Sequence, residues 1–130
     1  MTVFDRLRPA FAGFGAGCLI MAGGFLAIIF AGRDPMPAAV YGPDVTSIRS
    51  AAWAAAQITA AAALTAGCVW RRPLLAASGA GLLGLLFTVL AAAMAGIFPT
   101  GAAVMCMCLG AAPLAYVTAF YAWEAARGRE

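Results

Sequence analysis

The sequence contains no histidine, lysine or asparagine, and its charged residues are limited to eight arginines and five acids in 130 positions. Without histidine the chain lacks the usual ligand of haem and the commonest general base. Without lysine it cannot form a retinal Schiff base. The acids lie outside the apolar runs, so no buried hydroxyl has a base beside it to make it a nucleophile. We therefore expect a protein that is not an enzyme and that holds no cofactor.

Apolar residues are what the chain has in abundance. Hydrophobic residues make up 65% of it and charged residues 10%, with 34 alanines and 15 glycines. A water-soluble domain of this size needs more polar surface, so the composition favours a membrane protein whose first partner is the lipid bilayer. The net charge of +3 comes from short arginine clusters rather than from a basic face, and it gives no reason to expect nucleic-acid binding.

Four apolar stretches contain no charged side chain, at 11–32, 50–70, 74–96 and 101–123. Each matches the ~20 residues that a helix needs to cross a hydrocarbon layer of about 30 Å. None alternates as the strands of a membrane barrel do, and backbone polar groups must be paired in lipid. The sequence therefore predicts one all-α membrane domain with four transmembrane helices. Because the second and third connections are short, we expect an antiparallel up-down bundle.

The arginines predict how these spans are oriented. Six of the eight fall on one side, in the two short tails and in the second connection: Arg6, Arg8, Arg71, Arg72, Arg127 and Arg129. The other side, with the long loop 33–49, has only Arg33 and Arg49. By the positive-inside rule both termini are expected in the cytoplasm, with the protein in a bacterial inner membrane. A cleaved signal peptide is disfavoured because the first apolar run exceeds the roughly 7 to 15 residues of an h-region.

Small residues at helical spacing mark the faces on which membrane helices approach each other closely. The predicted helix-packing residues are Gly13, Gly17, Gly24, Ala77, Gly81, Gly84, Cys108 and Ala112. The bulky residues of the third span, among them Leu83 and Phe87, are expected on its other faces. Packing within the chain is the simpler interpretation of these stripes, and a surface for oligomers or other subunits is the alternative.

Two further features are candidates for chemistry. Trp53 and Gln57 lie four residues apart, on one side of the second span, and form a candidate polar site in the membrane. A structural amide that bonds to another helix is the simpler interpretation of Gln57. In the run VMCMCLG, Met105 and Cys108 share a face and could hold a soft metal such as Cu(I), whereas Cys106 points away from Cys108. Filler in a packed apolar surface is the simpler interpretation of these sulfur residues, so no metal site is expected.

Several small membrane-protein families resemble the chain in length and layout. The stretch FPTGAA at 98–103 is loosely similar to one in small multidrug exporters, which need a glutamate in the first span that is missing here. Fluoride channels need asparagine, glutathione-transferring enzymes need buried arginine and glutamate, and mercury transporters need paired cysteines in the first span, where only Cys18 occurs. No family is assigned on these residues.

The spans contain no ionisable group of the kind that transporters and pumps place in the bilayer. We therefore expect an accessory or structural subunit that packs against a larger membrane complex, whether respiratory, photosynthetic or for transport. One alternative is a small homo-oligomeric transporter or channel. Another is a soft-metal or thiol redox membrane protein.

Overall fold

The computed structural model describes residues 3–30, 46–95 and 102–128, and within these the side chains of 3–27, 52–92 and 106–128. Helices account for nearly all of the described chain. They are α1 (Val3–Phe30), α2 (Thr46–Val69), α3 (Pro73–Ala95) and α4 (Ala102–Arg127). The prediction of an all-helical chain with four long apolar helices is thereby confirmed.

All four helices are long and apolar enough to span a membrane. The candidate spans are Val3–Ala27, Ala52–Val69, Pro73–Ala92 and Cys106–Arg127, with mean hydropathy between 1.4 and 2.1. The helices contain 28, 24, 23 and 26 residues, so at 1.5 Å per residue each is at least about 34 Å long. That length exceeds the hydrocarbon thickness of about 30 Å.

The first helix begins before the apolar run that the sequence marks. It starts at Val3 and continues through Pro9, whose missing N–H removes one helical hydrogen bond. Two rings compensate for this loss, since Phe4 and Phe11 are buried and stack with their centroids 6.0 Å apart. Burial of a phenylalanine side chain contributes about 1.5 to 3 kcal/mol. Residues 3–10 are therefore two packed turns of α1, continuous with the first apolar span.

Helices that are neighbours along the chain are also neighbours in space. Contacts are extensive between α1 and α2, α2 and α3, and α3 and α4, and slight between α1 and α4. Gly67 of α2 lies against Ala76 of α3, and Gly79, later in α3, lies against Leu64, earlier in α2. These two helices therefore run in opposite directions, as their three-residue connection requires.

The core combines many small residues with a few large ones. Alanines from all four helices are buried, and the largest fully buried apolar side chains of the described residues include Leu64, Leu83 and Phe87. The expectation that Leu83 and Phe87 lie outside the packing face of the third span is wrong. Each is at most 1% exposed, because alanines on the other helices leave holes that a large side chain fills.

The hydroxyl groups are paired within their own helices. Thr59, Thr65, Ser78, Thr88 and Thr118 each donate to the carbonyl four residues earlier, over 2.7 to 2.9 Å. This bonding gives each of these hydroxyl protons an acceptor within its own helix.

Candidate functional site

The predicted packing residues of α1 face away from the rest of the described chain. Gly13, Gly17 and Gly24 are exposed, and no atom of the described residues lies within 4 Å of the place where a Cβ would be. The close approach to α2 occurs instead at Gly15, where a Cβ would be 2.5 Å from Thr65 Oγ1. The exposed glycines thus leave a shallow surface that none of the described side chains covers.

The predicted residues of α3 and α4 are divided between the interior and the surface. Ala77 and Gly84 are buried in α3, and Gly81 between them has open space beside it among the described residues. In α4, Cys108 is 0% exposed and Ala112 is also buried. The stripe of α4 therefore faces the interior of the protein, whereas that of α3 runs along its edge.

Trp53 and Gln57 form a polar pair inside the apolar part of α2. Gln57 is 3% exposed, and the indole Nε1 of Trp53 is buried without a hydrogen-bond partner among the described residues. An unpaired buried donor carries a desolvation penalty of about 1–3 kcal/mol. The described chain therefore carries this penalty at Trp53 without a compensating hydrogen bond.

The sulfur groups are spread over three helices. Cys18, Cys68 and Cys108 are buried and Cys106 is exposed, all as free thiols. Among the described side chains, no three cysteine or acidic residues come together as metal ligands would. The side chain of Met105, the other half of the predicted soft-metal pair, lies outside the described residues.

An open cleft of about 830 Å³ lies between the start of α3 and the end of α4. Its lining combines arginine guanidinium groups with apolar side chains, and none of the described lining residues is acidic. The residues that matter most are Arg71, Arg72, Leu74, Leu75, Trp123 and Arg127. Three positive charges therefore meet over an apolar wall at one end of the helices.

The turn that carries two of these arginines has a defined geometry. The amide of Arg72 donates to the carbonyl of Gly67 over 2.8 Å, and Arg71 before it has a φ of 56°. This is the left-handed helix ending in which glycine is the usual residue, because a side chain there is sterically disfavoured. The backbone thus holds an arginine where a glycine would be less strained.

A fourth arginine lies at the same end of the molecule. The Nη1 atom of Arg8 is 3.5 Å from the carbonyl oxygen of Cys68, in the last turn of α2. At this length the contact is mainly electrostatic, and a positive charge beside the carbonyl end of a helix is favourable. Arg8 thereby fixes the start of α1 against the end of α2.

No family model, no curated protein and no solved structure matches the chain. Its function is therefore inferred from its residues and their arrangement alone.

Sequence reasoning used the arginines only to predict orientation and did not predict the cleft. Two patterns could have indicated it. Arg71 and Arg72 directly precede Pro73, which begins a helix, and Trp123 and Arg127 lie four residues apart on one face of α4. What the sequence could not supply was the packing of the start of α3 against the end of α4.

Proposed function

We propose that this protein is a non-catalytic accessory subunit of a larger membrane complex, embedded in a bacterial inner membrane as an antiparallel bundle of four helices. The observation that carries the proposal is a contrast between exposed faces. One pair of helices exposes small residues and the other pair exposes large apolar ones.

The small-residue surface belongs to α1 and α2. Between Ala10 and Ala27 the exposed residues of α1 include only one bulky side chain: Ala10, Gly13, Gly17, Ile20, Gly23, Gly24 and Ala27. Between Ala52 and Ala62 the exposed residues of α2 are Ala52, Ala55, Thr59 and Ala62. We refer to these two sets as the small-residue surface. The other large exposed hydrophobic residues described in these two helices lie near the helix ends, at Val3, Leu7 and Val69. Such surfaces let the backbone of another helix come close, where van der Waals contacts and weak hydrogen bonds accumulate.

The opposite character is found on α3 and α4. Their exposed side chains include Leu82, Leu85, Leu114, Val117 and Phe120, each more than 40% exposed. Large flexible side chains mix well with acyl chains, so these helices suit contact with lipid. This division between small and large exposed residues fits a subunit that packs against its partner through α1 and α2 and contacts lipid through α3 and α4.

The test replaces one glycine on the small-residue surface and one elsewhere. Gly17 and Gly110 are both exposed, and neither has an atom of the described residues within 4 Å of its Cβ position. Leucine at either site should leave the fold of the chain intact. We expect Gly17→Leu to reduce the amount of a stoichiometric partner that co-purifies in mild detergent by about tenfold, the equivalent of 1.4 kcal/mol.

The Gly110→Leu variant is the matched control and should retain the partner. Quantitative mass spectrometry of the tagged chain, extracted from the membranes of cells that express it, gives the readout. Equal recovery of the partner with both variants would mean that the small-residue surface is not part of the interface. A chain that purifies without any stoichiometric partner would contradict the accessory role.

A second candidate function is a homo-oligomeric transporter or channel. Two residues one turn apart in α2 favour it: Gln57 is buried, and Nε1 of Trp53 is buried without a hydrogen-bond partner among the described residues. A polar solute could accept the hydrogen bond that these residues leave unmade. The test reconstitutes the purified oligomer in vesicles. Solute movement that is lost on Gln57→Leu would establish a transporter or channel in place of an accessory subunit.

A further inference from the structure

We propose that the cleft between α3 and α4 binds the phosphate of an anionic phospholipid, with the acyl chains of that lipid lying along α3. The inference rests on the membrane embedding proposed above and is independent of any partner subunit.

The charges in the cleft suit a phosphate group. Arg71 and Arg72 come from the connection before α3 and Arg127 from the last turn of α4, so guanidinium groups reach the same cleft from two directions. Guanidinium groups bind phosphate oxygens through paired, charge-assisted hydrogen bonds.

The backbone beside the arginines adds to this preference. Arg72 precedes Pro73, the first residue of α3, and the amide of Ala76 donates to the carbonyl of Arg72. A helix leaves its first amides without acceptors inside the helix, and an arginine at this position cannot accept a hydrogen bond. The N–H groups of Leu74 and Leu75 are thus directed toward the charged end of the cleft.

The conformation of Arg71 indicates that its side chain has a use. With a φ of 56° it is the only residue other than glycine with positive φ in the described chain. Glycine would avoid a penalty of roughly 1 kcal/mol there. A residue kept in a disfavoured conformation supports a functional role for its side chain, and here that side chain lines the cleft.

The apolar wall distinguishes a lipid from a free phosphate ion. Leu74 is 57% exposed and Trp123 50% exposed, both in the cleft, at the helix ends where tryptophan marks the headgroup region of a membrane. From Leu75 an exposed stripe continues along α3 through Leu82 and Val89. A phospholipid whose phosphate binds at the arginines would place its acyl chains on this stripe. A free phosphate ion would leave the stripe uncovered.

The experiment uses the full chain purified in a neutral detergent. Phosphatidylglycerol, phosphatidylcholine with the same acyl chains, and inorganic phosphate are titrated separately, and bound lipid is counted by native mass spectrometry. We expect one phosphatidylglycerol to be retained, with weak retention of phosphatidylcholine. Arg72→Ala and Arg127→Ala should each weaken phosphatidylglycerol binding by at least about fivefold, as expected for one arginine near an anionic headgroup.

Two further variants make the result specific. Arg6→Ala removes the same charge from the exposed first turns of α1 outside the cleft, and should change binding by less than about twofold. Arg71→Gly should weaken binding while the far-ultraviolet circular dichroism spectrum keeps its full helical signal, because glycine suits the left-handed turn. This variant separates loss of the ligand from loss of the fold.

Three outcomes would overturn the proposal. Equal weakening by Arg6→Ala and Arg72→Ala would mean that only diffuse charge attracts the lipid. Displacement of phosphatidylglycerol by inorganic phosphate at equal concentration would assign the cleft to a free anion. Unchanged retention in all arginine variants would place the lipid elsewhere. None of these results bears on whether a partner subunit binds α1 and α2, so the two proposals fail separately.

Discussion

At the scale of single residues, the position of a glycine matters more than its presence. Gly79 and Gly81 are two residues apart in α3 and look equivalent in sequence. A methyl group at Gly79 would come within 2.5 Å of the backbone nitrogen of Leu64 and 2.7 Å of the carbonyl oxygen of Ala60. At Gly81 a methyl group would meet no atom of the described residues within 4 Å. Of these two glycines, only Gly79 lies where the backbones of α2 and α3 come together.

We therefore predict opposite effects of alanine at these two glycines. Gly79→Ala should lower the free energy of unfolding by about 1–3 kcal/mol, because backbone atoms cannot move aside as a side chain could. Gly81→Ala should raise it by about 0.5–1 kcal/mol, since alanine loses less backbone entropy in a helix. Unfolding in mixed detergent micelles, followed by circular dichroism, measures both. Destabilisation of similar size at the two sites would contradict the close approach of α2 and α3 at Gly79.

At the scale of helices, a hydroxyl pair joins α3 to α4. Thr88 Oγ1 and the Tyr116 hydroxyl are 2.7 Å apart, and Thr88 also donates to the carbonyl of Gly84 over 2.8 Å. A threonine has one proton to donate, so Tyr116 is the donor to Thr88. The tyrosine ring lies directly on Gly84, whose missing side chain makes room for it. Three residues on two helices thus fix the register of α3 against α4.

A double-mutant cycle tests this link. Thr88→Val and Tyr116→Phe each remove one hydroxyl and keep the shape of the side chain. We expect a coupling energy of about 0.6 kcal/mol, and no more than about 1.7 kcal/mol, as for other hydrogen bonds between membrane helices. Strictly additive effects would mean that the two hydroxyls do not interact in the folded protein. Tyr121→Phe, in the same helix and outside this contact, serves as the control.

At the scale of the whole molecule, arginines from three parts of the chain gather at one end. Arg8 contacts the end of α2, and Arg71, Arg72 and Arg127 share the cleft. Concentrated positive charge at one end of a set of apolar helices gives a strong orientation preference during insertion, because positively charged segments are retained in the cytoplasm. The position of these arginines in the structure and their number in the sequence thus favour the same orientation, with the arginine-rich end in the cytoplasm.

We predict that both termini lie in the cytoplasm. A fluorescent reporter that folds only in the cytoplasm should be bright when fused to either end, and an exported phosphatase should be inactive there. The same phosphatase inserted at Gly42, in the long first connection, should be active and provides the internal control. Phosphatase activity at either terminus would contradict the predicted orientation.

The sequence by itself determined the helices, and the reason is local. Runs of 21 or more uncharged residues separated by Pro, Gly and Arg leave little alternative to four long helices, because length and apolarity are read directly from composition.

Only the tertiary structure decided which faces meet. In helices rich in alanine and glycine nearly every face is small enough to pack, so spacing could not distinguish Gly15 from Gly13 and Gly17, or Gly79 from Gly81. Phe87 and Leu83 were assigned outside the packing face because bulk alone does not tell whether another helix offers a hole. The cleft depends on residues more than 40 positions apart, Arg72 and Trp123 among them. The cleft exists because α3 packs against α4, and no local sequence pattern specifies that contact.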